Sequence, residues 1–263
     1  MNSLLTNRER ERFASLKTVK GRRKEGLFLI EGERALGEYL DSFPNEVLVI
    51  IALEEWLERN SLRLDCFNGN VFVVSRKDLK EISSLTTIPE VIGVCRIHEK
   101  FIQPSKLLNE LVIALDRVQD PGNLGTIIRI ADWFGIRHIV ASNDTVDCYN
   151  PKVVQSTMGA LSRVNFFQVP DLSQYLHEYR QARGQVYGTF LDGQDVYDAP
   201  ISTNGLIVMG NEGNGVSHAV AQEIDRRLLI PAWPQHASHV ESLNVAVSTG
   251  IIVGIFRNKT KIS

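Results

Sequence analysis

The sequence predicts an α/β protein in two parts: a compact α/β unit over residues 1–98, a linker over 99–108, and a parallel sheet with helices on both faces over 109–263. Three observations predict it. From Leu111 onward, apolar strand-like runs alternate with helical patterns. Three of those runs stop abruptly at polar or glycine-rich loops and then pass into helices. Between the two parts, the stretch from Arg96 to Lys106 is polar, carries Pro104 and shows no period.

In the first part, a helical segment reaches about Leu16 and a basic loop runs on to Gly26. Residues 27–30 (Leu-Phe-Leu-Ile) read as a short buried strand, followed by a helical stretch over 33–40. Residues 47–52 and 71–74 are further strands with helical patterns after each, and 91–95 closes the sheet. In the second part, strands are expected at 111–115, 138–141, 165–169, 185–190, 206–209 and 228–230. Helices are expected at 124–134, 151–158, 172–183, 217–224 and 243–256, with Gly135 at a C-terminal cap.

The bulk numbers exclude several classes. At 263 residues, 43% hydrophobic and 23% charged, the chain fits one large or two ordinary globular domains. No apolar run is long enough to span a bilayer, and the first residues lead into charges, so a cytoplasmic protein is expected. Cys66, Cys95 and Cys148 are odd in number and far apart, which suits buried thiols rather than disulfides. The net charge of −2 is unlike that of a basic nucleic-acid glove, yet Arg8, Arg10, Arg12, Lys17, Lys20, Arg22, Arg23 and Lys24 cluster against only Glu9 and Glu11. Such a cluster neutralises phosphates, or else forms a solvated helix face.

Three loops carry the chemistry. In 120–126 (Asp-Pro-Gly-Asn-Leu-Gly-Thr), Asn123 is placed to cap a helix whose buried stripe is Ile127, Ile128, Ala131 and Phe134. Arg129 falls between those apolar positions, either pairing with a carboxylate or reaching for a phosphate at the mouth of a site. In 210–217, Glu212 stands between Asn211 and Gly213 at the carboxyl end of a hydrophobic strand, the edge where open α/β sheets bind ligands. After Ile230-Pro231, Ser242 and Asn244 begin a helix of small and apolar residues; Ser242 is explained by an N-cap, Asn244 one step inside is not. Glycines in such loops let a ligand approach the main chain. Neither a P-loop nor a G-x-G-x-x-G fingerprint is present. His236 and His239 lack partners at a metal-ligand spacing, so no metal is expected. Among Trp133, Trp233 and Phe190, Trp233 is the residue expected at the surface.

Asn123 with Arg129, then Gly210-Asn-Glu-Gly213, then Ile230-Pro231 with Ser242-Leu-Asn-Val245, resemble in order and spacing the three motifs of the SpoU (TrmH-type) RNA 2′-O-ribose methyltransferases of the SPOUT superfamily. The resemblance covers roughly residues 111–256. Residues 20–33, with Gly26-Leu-Phe-Leu-Ile-Glu-Gly32, look like the ribosomal-protein-like substrate-binding domain that many members carry. The loop from Pro231 to Val240 is longer than the short link usual in that family.

The resemblance implies a parallel sheet ending in a trefoil knot, a homodimer, and S-adenosylmethionine as cofactor. It makes Arg129 the catalytic arginine, with Asn123, Glu212, Ser242 and Asn244 completing the site. Phe190, Leu191, Met209, Gly210, Asn211, Gly213, Ile230 and Leu243 would meet the cofactor, and Lys20, Arg22, Arg23 and Lys24 would hold RNA. Ribosomal RNA is the expected substrate, transfer RNA the alternative, and a non-catalytic RNA-binding member of the same fold the alternative to an enzyme.

Overall fold

The computed structural model describes residues 2–64, 67–97, 101–234 and 242–260. By its contacts the chain forms two compact units: Met1–His98 with Asp147–Ser162, and Glu99–Val146 with Arg163–Ser263. The 147–162 segment lies within the 109–263 stretch assigned by sequence to the second domain, yet its contacts are with the first unit.

The first unit contains β1 (Asn2–Ser3), α1 (Asn7–Ser15), α2 (Val19–Glu25), β2 (Leu27–Glu31), α3 (Glu33–Ser42), β3 (Val47–Ala52), α4 (Glu54–Arg59), α5 (Ser61–Leu64), β4 (Asn70–Val73), α6 (Arg76–Ile82) and β5 (Val91–Arg96). The strands order as β1-β4-β3-β5-β2. β5, the last strand of this sheet in the chain, runs antiparallel to both neighbours and lies inside the sheet between β3 and β2. Ile92 and Val94 join one core with Phe13, Leu16 and Leu79, while Val91 and Cys95 are equally buried, so neither face of β5 tolerates water.

Residues expected to form a basic loop fold instead as α2. The Thr18 hydroxyl caps it by accepting from the Gly21 amide at 3.0 Å, and Gly26 ends it in the left-handed region at φ 63. Lysine and arginine are good helix formers, so the charge run conceals a helix rather than breaking one. The 147–162 segment brings α8 (Pro151–Thr157) against β2, and the ring of Tyr149 lies 4.6 Å from that of Phe28.

The second unit holds β6 (Leu111–Leu115), α7 (Pro121–Trp133), β7 (His138–Ser142), β8 (Asn165–Val169), α9 (Leu172–Gln181), β9 (Val186–Asp195), β10 (Gly205–Met209), α10 (His218–Ala221), β11 (Arg226–Leu229) and α11 (Val245–Thr260). Among the described residues these strands form a six-stranded sheet ordered β11-β9-β10-β6-β7-β8, with every recorded pairing parallel. One core face gathers Val112, Ala114, Val140, Phe167, Leu176, Tyr179, Leu206 and Val208. α11 packs beside α7, with Gly250 close to Ile130 and Gly254 close to Phe134. Because the strands are parallel, the segments after β6, β10 and β11 leave from the same sheet edge. Gly135 takes φ 64 after α7, as its place in the sequence predicts.

Among the described residues, no helix is long and apolar enough to cross a membrane. Cys95 and Cys148 are free and buried, and burial pushes the Cys95 thiol far above its ordinary value, so it is no nucleophile. Cys66 lies outside the described residues.

Candidate functional site

The site is built from strand ends. Asp116, just after β6, donates its amide to the carbonyl of Met209 at the end of β10, 2.9 Å away. Its buried carboxylate accepts from the Ser217 amide at 2.5 Å, tying the segment before α10 to the same edge. Arg117 follows in the left-handed region at φ 59, which presents its carbonyl to the Asn211 side-chain amide at 2.8 Å.

The loop after β10 closes on itself. Asn211 and Gly215 exchange backbone hydrogen bonds of 3.0 Å, and Gly215 supplies the turn with φ 63. Asn211 Oδ1 accepts from the amides of Gly213 and Asn214 at 3.0 Å each. At Gly210 the returning chain is so close that a Cβ would sit 2.4 Å from the Gly215 carbonyl carbon and the Val216 nitrogen. Both obstacles are backbone, so a side chain there forces the loop open. Gly210→Ala is expected to weaken binding of S-adenosylmethionine, the cofactor the resemblance implies, about tenfold or more through a displaced wall, as calorimetric titration measures.

With Asn211 occupied in the loop, Glu212 is the side chain that reaches outward. Glu212 Oε1 accepts from Asn123 Nδ2 at 2.9 Å, and Asn123 Oδ1 accepts from Asn244 Nδ2 at 2.9 Å. Three loops distant in sequence are thus joined by one chain of side chains. Asparagine suits the middle of that chain because an amide donates to a carboxylate and accepts from a second amide at once.

Two capping expectations are corrected. Asp120, not Asn123, caps α7, its Oδ1 accepting from the Asn123 amide at 2.7 Å. Asn123 is therefore the third residue of the helix, with its side chain free to bridge. Asn244, not Ser242, caps α11, its Oδ1 accepting from the amides of Ala246 and Val247 at 2.9 and 3.2 Å. That is why a poor helix former stands there: its carbonyl oxygen faces the helix and its amide nitrogen faces Asn123.

Beside this trio lies a cavity of about 580 Å³. Phe190, Leu191, Met209, Gly210, Asn211, Gly213, Ile230 and Leu243 all line it, as do Glu212 and Ser242. Its walls also carry Asp192 and Arg227, which the sequence alone did not single out. The Arg227 guanidinium, donating to Asp192, holds that carboxyl below its ordinary value. Glu212 and Asp192 thus set two carboxylates against a single guanidinium in the wall, a balance favouring a cationic ligand.

Arg129 stands apart. It is exposed on α7, is absent from the cavity lining, and has no hydrogen-bond or ion-pair partner among the described residues. The Glu212 carboxylate, the acidic side chain of the trio, pairs with Asn123. Thr126, Arg129 and Trp133 follow one another at spacings of three and four along an exposed stripe, and Trp133 is 85% exposed. Trp133 thus joins Trp233, at 84%, on the surface, although only Trp233 was expected there.

Of the four basic residues read as RNA contacts, Arg22 is removed by the structure. It is 1% exposed; its Nε and Nη2 donate to Asp147 at 2.9 and 2.7 Å, and its Nη1 donates to the carbonyls of Leu16 and Lys17. Lys20, Arg23 and Lys24 are exposed on the same helix. Among the described residues no cluster of three or more metal-ligating side chains occurs, and His236 and His239 lie outside them.

Comparison with known proteins decides the family. Residues 110–254 match the SpoU rRNA Methylase family, and residues 7–93 match the MRM3-like substrate binding domain. The chain belongs to the SpoU rRNA methylase family. It is 32% identical over 254 residues to the 23S rRNA (guanosine(2553)-2'-O)-methyltransferase RlmP of Bacillus subtilis, covering 94% of this chain and 95% of that one. A structure from Porphyromonas gingivalis assigned to the TrmH family of RNA methyltransferases is 35% identical, with a TM-score of 0.86, covering 98% of this chain and all of that one. An AdoMet-bound rRNA methyltransferase from Sinorhizobium meliloti is 27% identical, with a TM-score of 0.83, covering 98% of this chain and 97% of that one. Within this SpoU protein, Asp116 is a buried residue that sequence reasoning missed. Its signal was available: a carboxylate directly after the apolar run of β6.

Proposed function

We propose that this protein transfers a methyl group from S-adenosylmethionine to a ribose 2′-hydroxyl of ribosomal RNA. The observation that carries the reading is the hydrogen-bonded chain Asn244–Asn123–Glu212, which ties three loops together at the side of one cavity. A volume of about 580 Å³ suits a nucleoside-sized ligand. Walls of glycine-bearing loop, with Glu212 and Asp192 carboxylates, suit a cationic one. The eight residues Phe190, Leu191, Met209, Gly210, Asn211, Gly213, Ile230 and Leu243 form the proposed cofactor pocket.

When bound, the sulfonium supplies the electrophilic methyl. What the chain must add is orientation, worth ~7–11 kcal/mol when reacting atoms are held in line, and stabilisation of the negative charge that grows on the 2′-oxygen. Arg129 provides that charge stabilisation while clamping the neighbouring phosphate. A guanidinium remains protonated, so the hydroxyl proton leaves to phosphate or water rather than to Arg129. Asn123, Glu212 and Asn244 hold the loops in register, and Ser242 lies at the cavity wall.

The proposal includes a homodimer and a knotted carboxyl-terminal segment. The exposed α7 stripe of Arg129 and Trp133, with Val247 of α11 also half exposed, supports the dimer. It also accounts for Arg129 lying away from the cavity of its own chain: a second copy would receive it. Lys20, Arg23 and Lys24 on α2 are the proposed RNA contacts, attracting phosphate in a salt-dependent way.

The test is transfer of label from methyl-tritiated S-adenosylmethionine to purified 23S ribosomal RNA and, separately, to transfer RNA. Label in ribosomal RNA at an alkali-resistant linkage is the expected result. Label on a base, or tight donor binding with no transfer to either RNA, overturns the ribose assignment or the catalytic one respectively.

A further inference from the structure

One wall of the cavity is held differently from the others. β9 and β11 pair in parallel at Tyr187↔Arg226 and Gly188↔Arg227, then resume at Gln194↔Leu228 and Asp195↔Leu229. Two adjacent residues of β11 therefore face β9 residues that are six positions apart, so residues 189–193 leave the ladder as a long bulge. Thr189, Phe190, Leu191 and Asp192 from this bulge all line the cavity. Gly193 lets the bulge return: a Cβ there would lie 2.5 Å from the Leu228 carbonyl carbon.

A segment outside the ladder needs another source of rigidity, and Arg227 is placed to supply it. Its guanidinium carbon lies 3.7 Å from the centroid of the Phe190 ring. Its Nη2 donates to Asp192 Oδ1 at 2.5 Å. The last β11 residue before the register breaks thus grips the bulge at two points with one planar group. A planar guanidinium stacks on a ring face and presents N–H groups at its edge at the same time, which a lysine ammonium does not.

We propose that Arg227 is a positioning residue for the methyl-donor pocket, stacking on Phe190 and pairing with Asp192 so that the wall formed by residues 189–192 is set before the ligand arrives. The inference rests on the S-adenosylmethionine reading above. A wall already in place spares the ligand the cost of ordering it, which appears as affinity. The Arg227 and Asp192 side chains are 45% and 73% exposed, so their pairing adds little to the stability of the fold. Arg227 has no reacting role; it acts through Phe190 and Asp192.

Calorimetric titration of the full-length protein with S-adenosylmethionine tests this, using wild type, Arg227→Met, Arg227→Lys, Phe190→Leu and the Arg227→Met/Phe190→Leu pair. Arg227→Met is expected to weaken binding about 5- to 20-fold while the melting temperature moves by less than about 2 °C. Arg227→Lys should recover only part of the loss, because the ammonium cannot stack and pair together. The double variant should lose less affinity than the product of the two single losses, since the Arg227–Phe190 contact is broken in each. Unchanged affinity in Arg227→Met overturns the proposal, as do losses that multiply in the double variant or a fall in melting temperature that alone accounts for the weaker binding. Wild type that fails to bind S-adenosylmethionine overturns the donor reading and this role with it, a result distinct from wild type and Arg227→Met binding equally.

Discussion

Replacing Arg129 by alanine is expected to lower methyl transfer about 10²- to 10³-fold if, as proposed, Arg129 stabilises the oxyanion charge that develops on the 2′-oxygen. Cofactor affinity and thermal stability stay near those of the wild type. Arg129 is exposed and outside the cavity lining, and no described residue depends on it for a hydrogen bond, so the fold loses nothing when it goes. Single-turnover rates with 23S ribosomal RNA, measured beside calorimetric titration of S-adenosylmethionine, separate the two effects. Arg129→Lys keeps the charge but not the planar fork, and at least about a tenfold deficit is expected to remain. Near-full activity of the lysine variant would show that charge alone suffices. Near-full activity of the alanine variant would remove the residue from the mechanism.

The same variant examines the dimer. If Arg129 serves the cavity of a second copy, mixing Arg129→Ala with Gly210→Ala places both defects on one site of each mixed dimer and leaves the other site intact. Statistical exchange then restores about a quarter of wild-type activity. If Arg129 serves its own chain, each mixed site carries one defect and mixing restores nothing.

Strands were legible as apolar runs, and for β3, β6 and β8 the pattern located the limits to the residue; β6 is the plainest case, bounded by Glu110 and Asp116. The three loops were legible for the same reason, since each interrupts such a run. What the sequence concealed depended on partners far along the chain. Asp120, Asn123, Ser242 and Asn244 are all good N-cap residue types, and only the positions of Glu212 and Asn123 show which side chains cap and which bridge. The β9 bulge was invisible because it exists only relative to the register of β11. Trp133 reads as core by composition, and its exposure reflects which side of α7 meets α11. Arg22 looked like its neighbours because its partner, Asp147, is 125 residues away.

That concealed partnership gives the largest expected effect on stability. Arg22→Met is expected to cost about 3–5 kcal/mol, because it breaks a buried ion pair and strips a donor from two backbone carbonyls. Arg22 is 1% exposed whereas the Asp147 side chain is 27% exposed, so the two single variants are not equivalent. Asp147→Ala leaves a buried guanidinium with no counter-charge, which is the costlier state to solvate; Arg22→Met leaves a carboxylate that water can partly reach. Asp147→Ala should therefore be at least as destabilising as Arg22→Met. The double variant Arg22→Met/Asp147→Ala should be less destabilised than the sum of the two, since no charge is then left unpaired. Urea denaturation of the four proteins measures this directly. Arg23→Ala, one residue along the same helix but exposed, should shift stability by no more than about 0.5 kcal/mol and instead weaken RNA binding while flattening its salt dependence. If Arg22→Met left the denaturation midpoint in place and weakened RNA binding instead, the assignment of Arg22 to the fold and of Arg23 to the nucleic acid would be reversed.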